Sequence, residues 1–434
     1  MKFELYAAKA EVKLKDISDN SIDSCVHDGP YGIRFMGKAW DSFDIKKNGS
    51  LRDSYPIGEK RKAKGRKTTG FGNSIEAGKY NTSKNANQQF QQFTTEISRE
   101  IYRVLKPGAY FLSFCSPRTF HRLVCGIEDA GFEIRDTLMW IFSSGFPKSH
   151  NLDGEWEGWG SALKPAFEPI CMARKPLEKG LTIAQNVKKW GTGAIYIDGC
   201  RIEGDPWTWG TQTNIKGGNY GHRSTDMFVR GESYAKNVKG GEKGRWPANI
   251  MHDGSEEVVA LFPDAIGQQG DLINHQENRE SPNGIYGKFS AARDHLKRVE
   301  LNKSAARFFY VPKTSRADRN EGCESLDKKP LLWSSGTQSP GTLKSAGTDK
   351  SSQNNHPTVK PTEAMQYLVR LVTPPKGTCL DHMCGSGSTG KACAIEDFDF
   401  IGIDEDSHNI EIARLRIQFI IDHKDLFGTF IRPK

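Results

Sequence analysis

The chain has 434 residues, of which 36% are hydrophobic and 26% charged, and its formal net charge is +8. This length allows two or three domains with a sizeable core. No stretch approaches the roughly 18 apolar residues of a membrane span, and the N-terminus lacks the apolar segment of a signal peptide. Nine cysteines without a CxxC pair fit a reducing compartment and indicate no metal site. A cytoplasmic protein is therefore predicted.

The N-terminal segment reads as a strand, a helix or turn, and a second strand. The second strand, IDSCVHD, ends in the hexapeptide DGPYGI at residues 28–33. Gly-Pro pairs are common in turns, so a solvent-exposed turn is one interpretation of this hexapeptide. A ligand site is the other, because open α/β sheets bind ligands where their strands end.

A basic, polar segment follows the hexapeptide. Between Lys46 and Lys67, nine Lys and Arg residues stand against two acidic residues, a local net charge of +7. This composition predicts a mobile loop over about residues 42–88 that can close on phosphates. Its candidate phosphate-binding residues are Lys60, Arg61, Lys62, Lys64, Arg66 and Lys67.

Strands and helices alternate after this loop. Apolar residues at helical spacing predict a helix from about Asn87 to Leu105, ended by Lys106-Pro107-Gly108. The segment AYFLSFC predicts a buried strand, RTFHRLVCGIEDAGF a helix, and EIRDTLMWIFSSG another strand. This alternation predicts an α/β domain with a parallel sheet.

The composition changes twice in the second half of the chain. From residue 177 to residue 330, Gly, Trp, Asn and His increase and the periodicity weakens, while residues 331–355 are rich in Ser, Thr and Gly and predict a flexible linker. Residues 356–434 then read as helix, strand, Gly-rich turn, helix and strand. We therefore predict that residues 1–176 and 356–434 are two halves of one α/β domain, with a different region inserted between them.

The Gly-rich turn GSGSTG at residues 385–390 follows a strand and opens a helix, and three ligands are consistent with it. A P-loop matches GxxxxGK, but Ala392 stands where a hydroxyl should hold magnesium. A dinucleotide site matches GxGxxG with Asp404 as the ribose acid, but too little chain follows for a second half. S-adenosylmethionine requires only the glycine turn and the acid.

The hexapeptide suits transfer of a methyl group to the amine of a nucleobase. That amine is a weak nucleophile because its lone pair is delocalised into the ring, and two acceptors aimed at its N–H groups localise the pair. The Asp28 carboxylate and the Gly29 carbonyl, held by the stiff Pro30, are candidate acceptors. Tyr31 offers a face for stacking on a base flipped out of the duplex.

These segments resemble the amino-methylating DNA methyltransferases of the prophage and restriction-modification type. DGPY is similar to their (D/N/S)PPY motif, LDHMCGSGSTG to their DPFxGSGTT loop, FIGIDED to their ribose-acid strand and HPTVKP to their HPTxKP segment. The catalytic motif comes first and the cofactor loop last, which is the order of the β group. The resemblance implies a Rossmann-like methyltransferase sheet that is circularly permuted, with an inserted target-recognition region at 177–330.

The resemblance also implies the ligands and their residues. The cofactor is S-adenosylmethionine and the partner is double-stranded DNA, contacted by the basic loop, in a bacterial or phage-encoded protein of the nucleoid; a homodimer stays open. By position, the base is held by Asp28, Gly29, Pro30 and Tyr31. The cofactor is held by His356, Thr358, Lys360, Asp381, Met383, Gly385, Gly387 and Asp404.

Three positions depart from the family pattern. Gly29 replaces a proline, Met383 replaces a phenylalanine beside the adenine ring, and Lys9 stands where relatives often have an acid. Adenine N6 is the favoured target, because an initial Asp is more typical of adenine enzymes. Methylation of cytosine N4 and a catalytically weakened DNA-binding relative are the alternatives.

Other residues are weaker candidates. Trp140 is a candidate for lining the base pocket or for packing in the core. Glu168 is a candidate for bracing the site, although a solvated Glu is the favoured interpretation. Lys148 and His150 are candidates for contacting phosphate. Candidates for DNA groove contacts in the inserted region are Arg201, Arg223, Arg230, Arg245 and Arg307.

Overall fold

The computed structural model describes residues 1–33, 41, 43, 83–143, 151–202, 245–263, 304–309, 316–330, 351–425 and 430. The sheet at the centre of the described residues has eight strands. The N-terminal part contributes β1 (Phe3–Ala7), β2 (Ile22–His27), β3 (Leu105–Phe114), β4 (Glu133–Ile141), β5 (Phe167–Arg174) and β6 (Ile250–His252). The C-terminal part contributes β9 (Thr378–Asp381) and β10 (Asp399–Asp404). Their order across the sheet is β1-β10-β9-β2-β3-β5-β4-β6.

Helices connect these strands as the sequence predicts. The N-terminal part contains α1 (Ala10–Lys13), α2 (Lys84–Val104), α3 (Phe120–Asp129) and α4 (Ile183–Trp190). The long α2 begins three residues before the predicted start, because the Ser83 side chain accepts a hydrogen bond from the Ala86 N–H and caps the helix. Its apolar face buries Phe90, Ile97 and Ile101 against the sheet. The C-terminal part contains α7 (Thr362–Val372), α8 (Ser388–Glu396) and α9 (Ser407–Asp422).

The two ends of the chain form one sheet. Strand β2 lies between β3 and β9 and is parallel to both, and β1 pairs in parallel with β10. Strands β2 and β9 are therefore neighbours although more than 350 positions separate them. The residues that follow these two strands emerge at the same edge of the sheet, where open α/β sheets bind ligands.

The sheet is mixed rather than wholly parallel, which corrects the sequence-based expectation. Strand β5 runs antiparallel to both β3 and β4. Alternation of strands and helices does not reveal this reversal: among the described residues between β4 and β5 there is only one turn of 3-10 helix, Gly154–Trp156, which is too short to carry the chain across the sheet. The reversal places the first residues of β5 at the edge where β2 and β3 end.

The chain divides into two compact units, and the first contains the sheet. That unit comprises Met1–Gly199, Asn249–Ser255 and Val311–Lys434; the second comprises Cys200–Ala248 and Glu256–Tyr310. Residues 177–199 and 311–330, predicted as parts of the insert, thus belong to the sheet unit. The buried Asn186 of α4 is one reason, because its amide donates to the carbonyls of Pro107 and Thr192.

Short elements lie on either side of the predicted linker. They are α5 (Glu256–Val259), α6 (Arg316–Asn320), β7 (Lys329–Pro330) and β8 (Ser351–Ser352), with β7 antiparallel to β8. The last five residues of the linker predicted at 331–355 are ordered, since Asn354 is buried and its amide donates to the Arg319 carbonyl. Residues 331–350 lie outside the described part of the chain. Of the helices within that part, none is long and apolar enough to cross a membrane.

Candidate active site

The predicted catalytic motif, Asp28 to Tyr31, directly follows β2 at the edge shared with β9. Both carboxylate oxygens of Asp28 have partners: the Tyr31 hydroxyl donates to Oδ1 over 2.7 Å and the Lys360 ammonium to Oδ2 over 2.7 Å. Burial, followed by the charges of Asp28 and Glu168, raises the pKa of Tyr31 well above its ordinary value. Tyr31 is therefore a neutral hydrogen-bond donor at physiological pH.

Lys360 and Glu168 belong to this cluster. The sequence assigns Lys360 to the cofactor, yet its Nζ lies on Asp28, on the Tyr31 hydroxyl at 3.0 Å and on Glu168 at 3.1 Å. The solvated interpretation of Glu168 is wrong, because its side chain is 22% exposed and its carboxylate lies 3.1 Å from Lys360 Nζ and 3.2 Å from the Tyr31 hydroxyl. Sequence reasoning missed the ion pair because a reversed strand supplies Glu168.

Two side chains fix the backbone of the motif. The buried Asp41 carboxylate accepts from the N–H groups of Gly32 and Ile33 over 2.6 and 3.2 Å. The Thr119 hydroxyl donates to the Tyr31 carbonyl over 2.5 Å. These bonds hold the turn that presents Asp28 and Tyr31, as a preorganised site requires.

Gly29 lies where no side chain fits. A Cβ atom at this position would be 2.9 Å from Cε1 and Nδ1 of His27 and 3.0 Å from Sδ of Met383. The departure from the family proline therefore has a steric cause in this chain, since a buried imidazole occupies the space beneath residue 29. Because Sδ of Met383 lies so close to this position, the predicted catalytic motif adjoins the glycine loop.

Two histidines pack beneath the motif. The rings of His27 and His382 have centroids 4.1 Å apart, and both rings are buried. Both nitrogens of His27 and Nε2 of His382 have no hydrogen-bond partner within the described residues. Burial lowers the pKa of His27 well below its ordinary value and that of His382 to about 3. Both rings are therefore neutral at physiological pH.

The glycine loop connects β9 to α8 and is tied to the end of β10. The Gly385 N–H donates to Oδ2 of Asp404 over 3.0 Å, and Asn409 donates to Oδ1 over 3.0 Å. Gly385 has a φ of +49°, and a Cβ there would be 2.8 Å from Nε2 of His356. Gly387, with a φ of +76°, precedes the first residue of α8. Both positions thus require glycine for the backbone to turn.

Asp381 shapes this loop from inside. Its carboxylate accepts from the Thr389 hydroxyl over 2.6 Å and from the Met383 N–H over 3.2 Å. Burial raises the pKa of Asp381 to about 7. Asp404 is less deeply buried, and burial raises its pKa as well. Of the two acids, the Asp404 carboxylate is the one with access to a ligand, since Asp381 is 2% exposed.

The predicted His356 and Thr358 lie beside the loop. The Thr358 N–H donates to Nδ1 of His356 over 3.4 Å, and Arg319 of α6 donates to the His356 carbonyl over 2.7 Å. Burial, followed by the charge of Arg319, lowers the pKa of His356 to about 4. The ring against Gly385 is therefore neutral at physiological pH.

The hydrogen-bond partners of Lys391 exclude the P-loop interpretation of the glycine turn. The Nζ of this buried lysine donates to Asp318 over 2.6 Å and to Glu321 over 2.6 Å, behind the glycine loop. A P-loop lysine must instead reach the phosphates of the nucleotide. The buried Arg416 donates to the Ser386 carbonyl over 2.7 Å and fixes the loop from the same side.

The weaker candidates are partly within the described residues. Trp140 of β4 lies directly opposite Glu168 of β5, and the Arg201 guanidinium lies 5.3 Å from the Trp246 ring. The backbone of Arg245 pairs with that of Ile202 in an antiparallel bridge. Outside the described residues lie Lys148, His150, Arg223, Arg230, the side chain of Arg307 and the basic-loop residues Lys60, Arg61, Lys62, Lys64, Arg66 and Lys67. Within the described part of the chain, no three His, Cys, Asp or Glu side chains are grouped so that they could hold a metal ion.

Known proteins share this sequence pattern. The type II methyltransferase M.HindIII of Haemophilus influenzae is 27% identical over 308 residues, which is 65% of this chain and 92% of the relative. Similar solved structures include the M1.HpyAVI–SAM complex, with 12% identity, a TM-score of 0.35 and coverage of 96% of this chain and 99% of that one. They also include the cytosine-N4-specific PvuII DNA methyltransferase, with 10% identity, a TM-score of 0.41 and coverage of 96% and 86%.

The family model of N6/N4 DNA methylases matches residues 22–415, from the first residue of β2 into α9. The match includes the catalytic motif, the Lys360 segment and the glycine loop, which the fold brings to one edge of the sheet. This chain therefore belongs to the N6/N4 DNA methylase family and is a DNA methyltransferase.

Proposed function

We propose that this enzyme transfers a methyl group from S-adenosylmethionine to the exocyclic amine of a base flipped out of duplex DNA, and that the amine is adenine N6. The observation that carries the proposal is the approach of the catalytic motif to the glycine loop. Met383 lies 3.0 Å from where a Gly29 side chain would begin, so an amine held by Asp28 is next to a ligand held by that loop.

The loop fits a nucleoside with a sulfonium group. Gly385 and Gly387 leave backbone free of side chains, Met383 offers a soft apolar surface, and Asp404 offers carboxylate oxygens for ribose hydroxyls. The buried, neutral His356 closes the loop without adding a positive charge near the sulfonium. We assign Asp381 to shaping the loop rather than to direct contact. When bound, the cofactor supplies an electrophilic methyl group.

The catalytic motif supplies the acceptors. Asp28 and the Gly29 carbonyl accept from the two N–H groups of the amine, which localises the nitrogen lone pair for attack. Tyr31 stacks on the flipped base, a contact that contributes about 1–3 kcal/mol. Methyl transfer would form the N–C bond, break the S–C bond with the neutral thioether as leaving group, and lose one amine proton to water. The initial Asp of the motif supports adenine over cytosine.

The DNA contacts are proposed from charge. The local +7 between Lys46 and Lys67 follows the catalytic motif and suits phosphates flanking a flipped base. Replacing its lysines with serine should reduce the salt dependence of binding by about 0.9 log units per log unit of salt for each phosphate that is no longer neutralised. Fluorescence anisotropy at several salt concentrations measures this slope. Methylation sites should be unchanged, since phosphate contacts carry no base readout.

The test of the proposed reaction is direct product analysis. Plasmid DNA from a host that lacks DNA methylation is incubated with the full chain and tritiated S-adenosylmethionine, digested to nucleosides and separated by mass spectrometry. We expect N6-methyl-2′-deoxyadenosine, and its loss in Asp28→Ala with cofactor affinity retained. N4-methyl-2′-deoxycytidine would overturn the adenine assignment. An Asp28→Ala variant that is as active as the wild type would overturn the mechanism.

A further inference from the structure

The ammonium group of Lys360 has all its donors engaged by Asp28, Tyr31 and Glu168. Its Nζ lies 2.7 Å from Asp28 Oδ2, 3.0 Å from the Tyr31 hydroxyl and 3.1 Å from Glu168 Oε2. An ammonium has three N–H donors, so each donor has one oxygen and none is left for a substrate. The side chain is 9% exposed, which keeps this arrangement largely dry. Lys360 is thus placed to fix other groups rather than to read the base.

The contacts leave Asp28 able to accept two more hydrogen bonds. A carboxylate has about four acceptor positions, and Lys360 and Tyr31 occupy one on each oxygen. The Tyr31 hydroxyl has one hydrogen, which it gives to Asp28 at 2.7 Å in preference to Glu168 at 3.2 Å. The carboxylate plane of Asp28 is therefore fixed from both sides while part of each oxygen remains open to an amine.

The charges of the cluster do not cancel. Asp28 and Glu168 carry two negative charges against one on Lys360. Burial opposes the charge on Lys360, but the two carboxylates raise its pKa above the ordinary value. Burial raises the pKa of Glu168 while Lys360 opposes that shift. With all three groups ionised, one net negative charge remains beside the place where the amine attacks.

We infer that Glu168 and Lys360 are positioning residues for methyl transfer: Lys360 orients Asp28, and Glu168 offsets the lysine charge so that Asp28 stays a strong acceptor. The inference rests on the proposed function. Positive charge develops on the attacking nitrogen, and a fixed negative charge next to it in a water-poor site stabilises that transition state. Without Glu168, the full ammonium charge would face Asp28 alone and weaken it as an acceptor.

The reversed strand β5 explains why Glu168 is available. Because β5 runs antiparallel to β3, its second residue lies at the edge where β2 and β3 end. A parallel strand would place its first residues at the opposite edge. The Glu–Lys pair thus joins β5 to the segment before α7, and Lys360 of this pair contacts Asp28.

The experiment compares single-turnover methyl transfer by the full chain in Glu168→Gln, Lys360→Met and the double variant, on the same plasmid DNA at saturating cofactor. Glu168→Gln keeps the shape of the side chain and removes its charge. We expect its rate to fall about tenfold to hundredfold, comparable to the loss of one preorganised group. The KM values for DNA and cofactor should change less than twofold. In the Lys360→Met chain, adding Glu168→Gln should change the rate less than twofold.

The pH profile separates positioning from folding. Protonation of Glu168 leaves the same charge as Glu168→Gln, so the wild-type rate should fall on acidification towards the rate of the variant. The Glu168→Gln rate should be flatter over that range. Glu133→Gln is the matched control, because Glu133 pairs with Arg174 of β5 at 2.7 Å away from the motif. It should have wild-type rates and the same pH profile as the wild type.

Each outcome bears on one proposal or on both. An active wild type with a Glu168→Gln rate within twofold of it, or additive losses in the double variant, overturns the positioning role alone. A wild type that methylates neither adenine nor cytosine overturns the proposed function and the positioning role together. Melting temperatures and cofactor titrations identify any misfolded variant. If a single variant misfolds, the methyl-transfer rate of the Glu168→Gln/Lys360→Met double variant is compared with that of the wild type, because the double variant leaves neither Glu168 nor Lys360 as an unpaired buried charge.

Discussion

Gly29→Ala should destabilise the protein because of His27. The added Cβ would lie 2.9 Å from two ring atoms of His27 and 3.0 Å from Sδ of Met383, whereas such atoms ordinarily pack at about 3.5–4.0 Å. The His27 ring is buried and lies against the rings of Phe111 and His382, so it has little room to move. Overpacking of this kind costs about 1–3 kcal/mol.

Removing the ring should remove that cost. In a His27→Ala chain, the Cβ of Gly29→Ala no longer meets the ring and keeps only the 3.0 Å approach to Sδ of Met383, the end of a flexible side chain, so the second substitution should cost less than about 0.5 kcal/mol. His27→Ala itself leaves a cavity but also removes two buried nitrogens that have no partner among the described residues. We therefore expect a coupling free energy of about 1–2.5 kcal/mol between positions 27 and 29.

Urea unfolding of the wild type, the two single variants and the double variant measures this coupling. The control pairs Gly29→Ala with His252→Ala, because His252 of β6 is also a buried histidine but is not among the atoms nearest to the added Cβ. That pair should show little rescue. Additive free energies at positions 27 and 29, within about 0.5 kcal/mol, would refute the steric explanation of the glycine.

Two further predictions concern the glycine loop. Asp404→Asn should weaken S-adenosylmethionine binding about tenfold to hundredfold in calorimetry, because ribose hydroxyls lose a charged acceptor. Asp406→Asn, on the cap of α9, should leave that affinity unchanged, and equal losses would contradict the assignment. Acidification from pH 6 to 5 should destabilise the protein, because burial lowers the pKa values of His356 and His382 to about 4 and about 3 and the unfolded chain binds more protons. Buried Asp381, with its pKa raised to about 7, opposes this loss, so Asp381→Asn should steepen it by about 1 kcal/mol per pH unit in urea unfolding.

Local sequence pattern was enough to predict the elements that carry the site. The stop at Lys106-Pro107-Gly108 and the apolar spacing before it predict α2 and β3, and both are present. The glycine turn with Asp404 at the end of the next strand is also confirmed, because Gly385 donates to that carboxylate. These features depend on residues close together in the chain, where spacing and turn chemistry determine the structure.

Contacts between distant segments could not be predicted in the same way. The sequence around Glu168 is typical of a solvated acid, and only the direction of β5 brings this side chain to Lys360. The role of Gly29 depends on the rotamer of His27, which a motif comparison does not contain. Lys391 matches a P-loop by spacing, yet its partners come from a segment more than sixty positions earlier. In each case the deciding partner lies on another element.

The glycine loop is stabilised by residues next to the insert rather than by its own helix alone. Asp318 of α6 accepts from Lys391 of α8 and from both the N–H and the hydroxyl of Thr362 at the start of α7. Arg319 of the same helix donates to the His356 carbonyl. Arg416 of α9 donates both to the Asp318 carbonyl and to the Ser386 carbonyl in the loop. Breaking a buried ion pair of this kind costs about 3–5 kcal/mol, because the remaining charge loses its partner. The helix α6 is thus fixed to the glycine loop through Lys391 and Arg416, and this explains why a lysine with P-loop spacing is buried and paired.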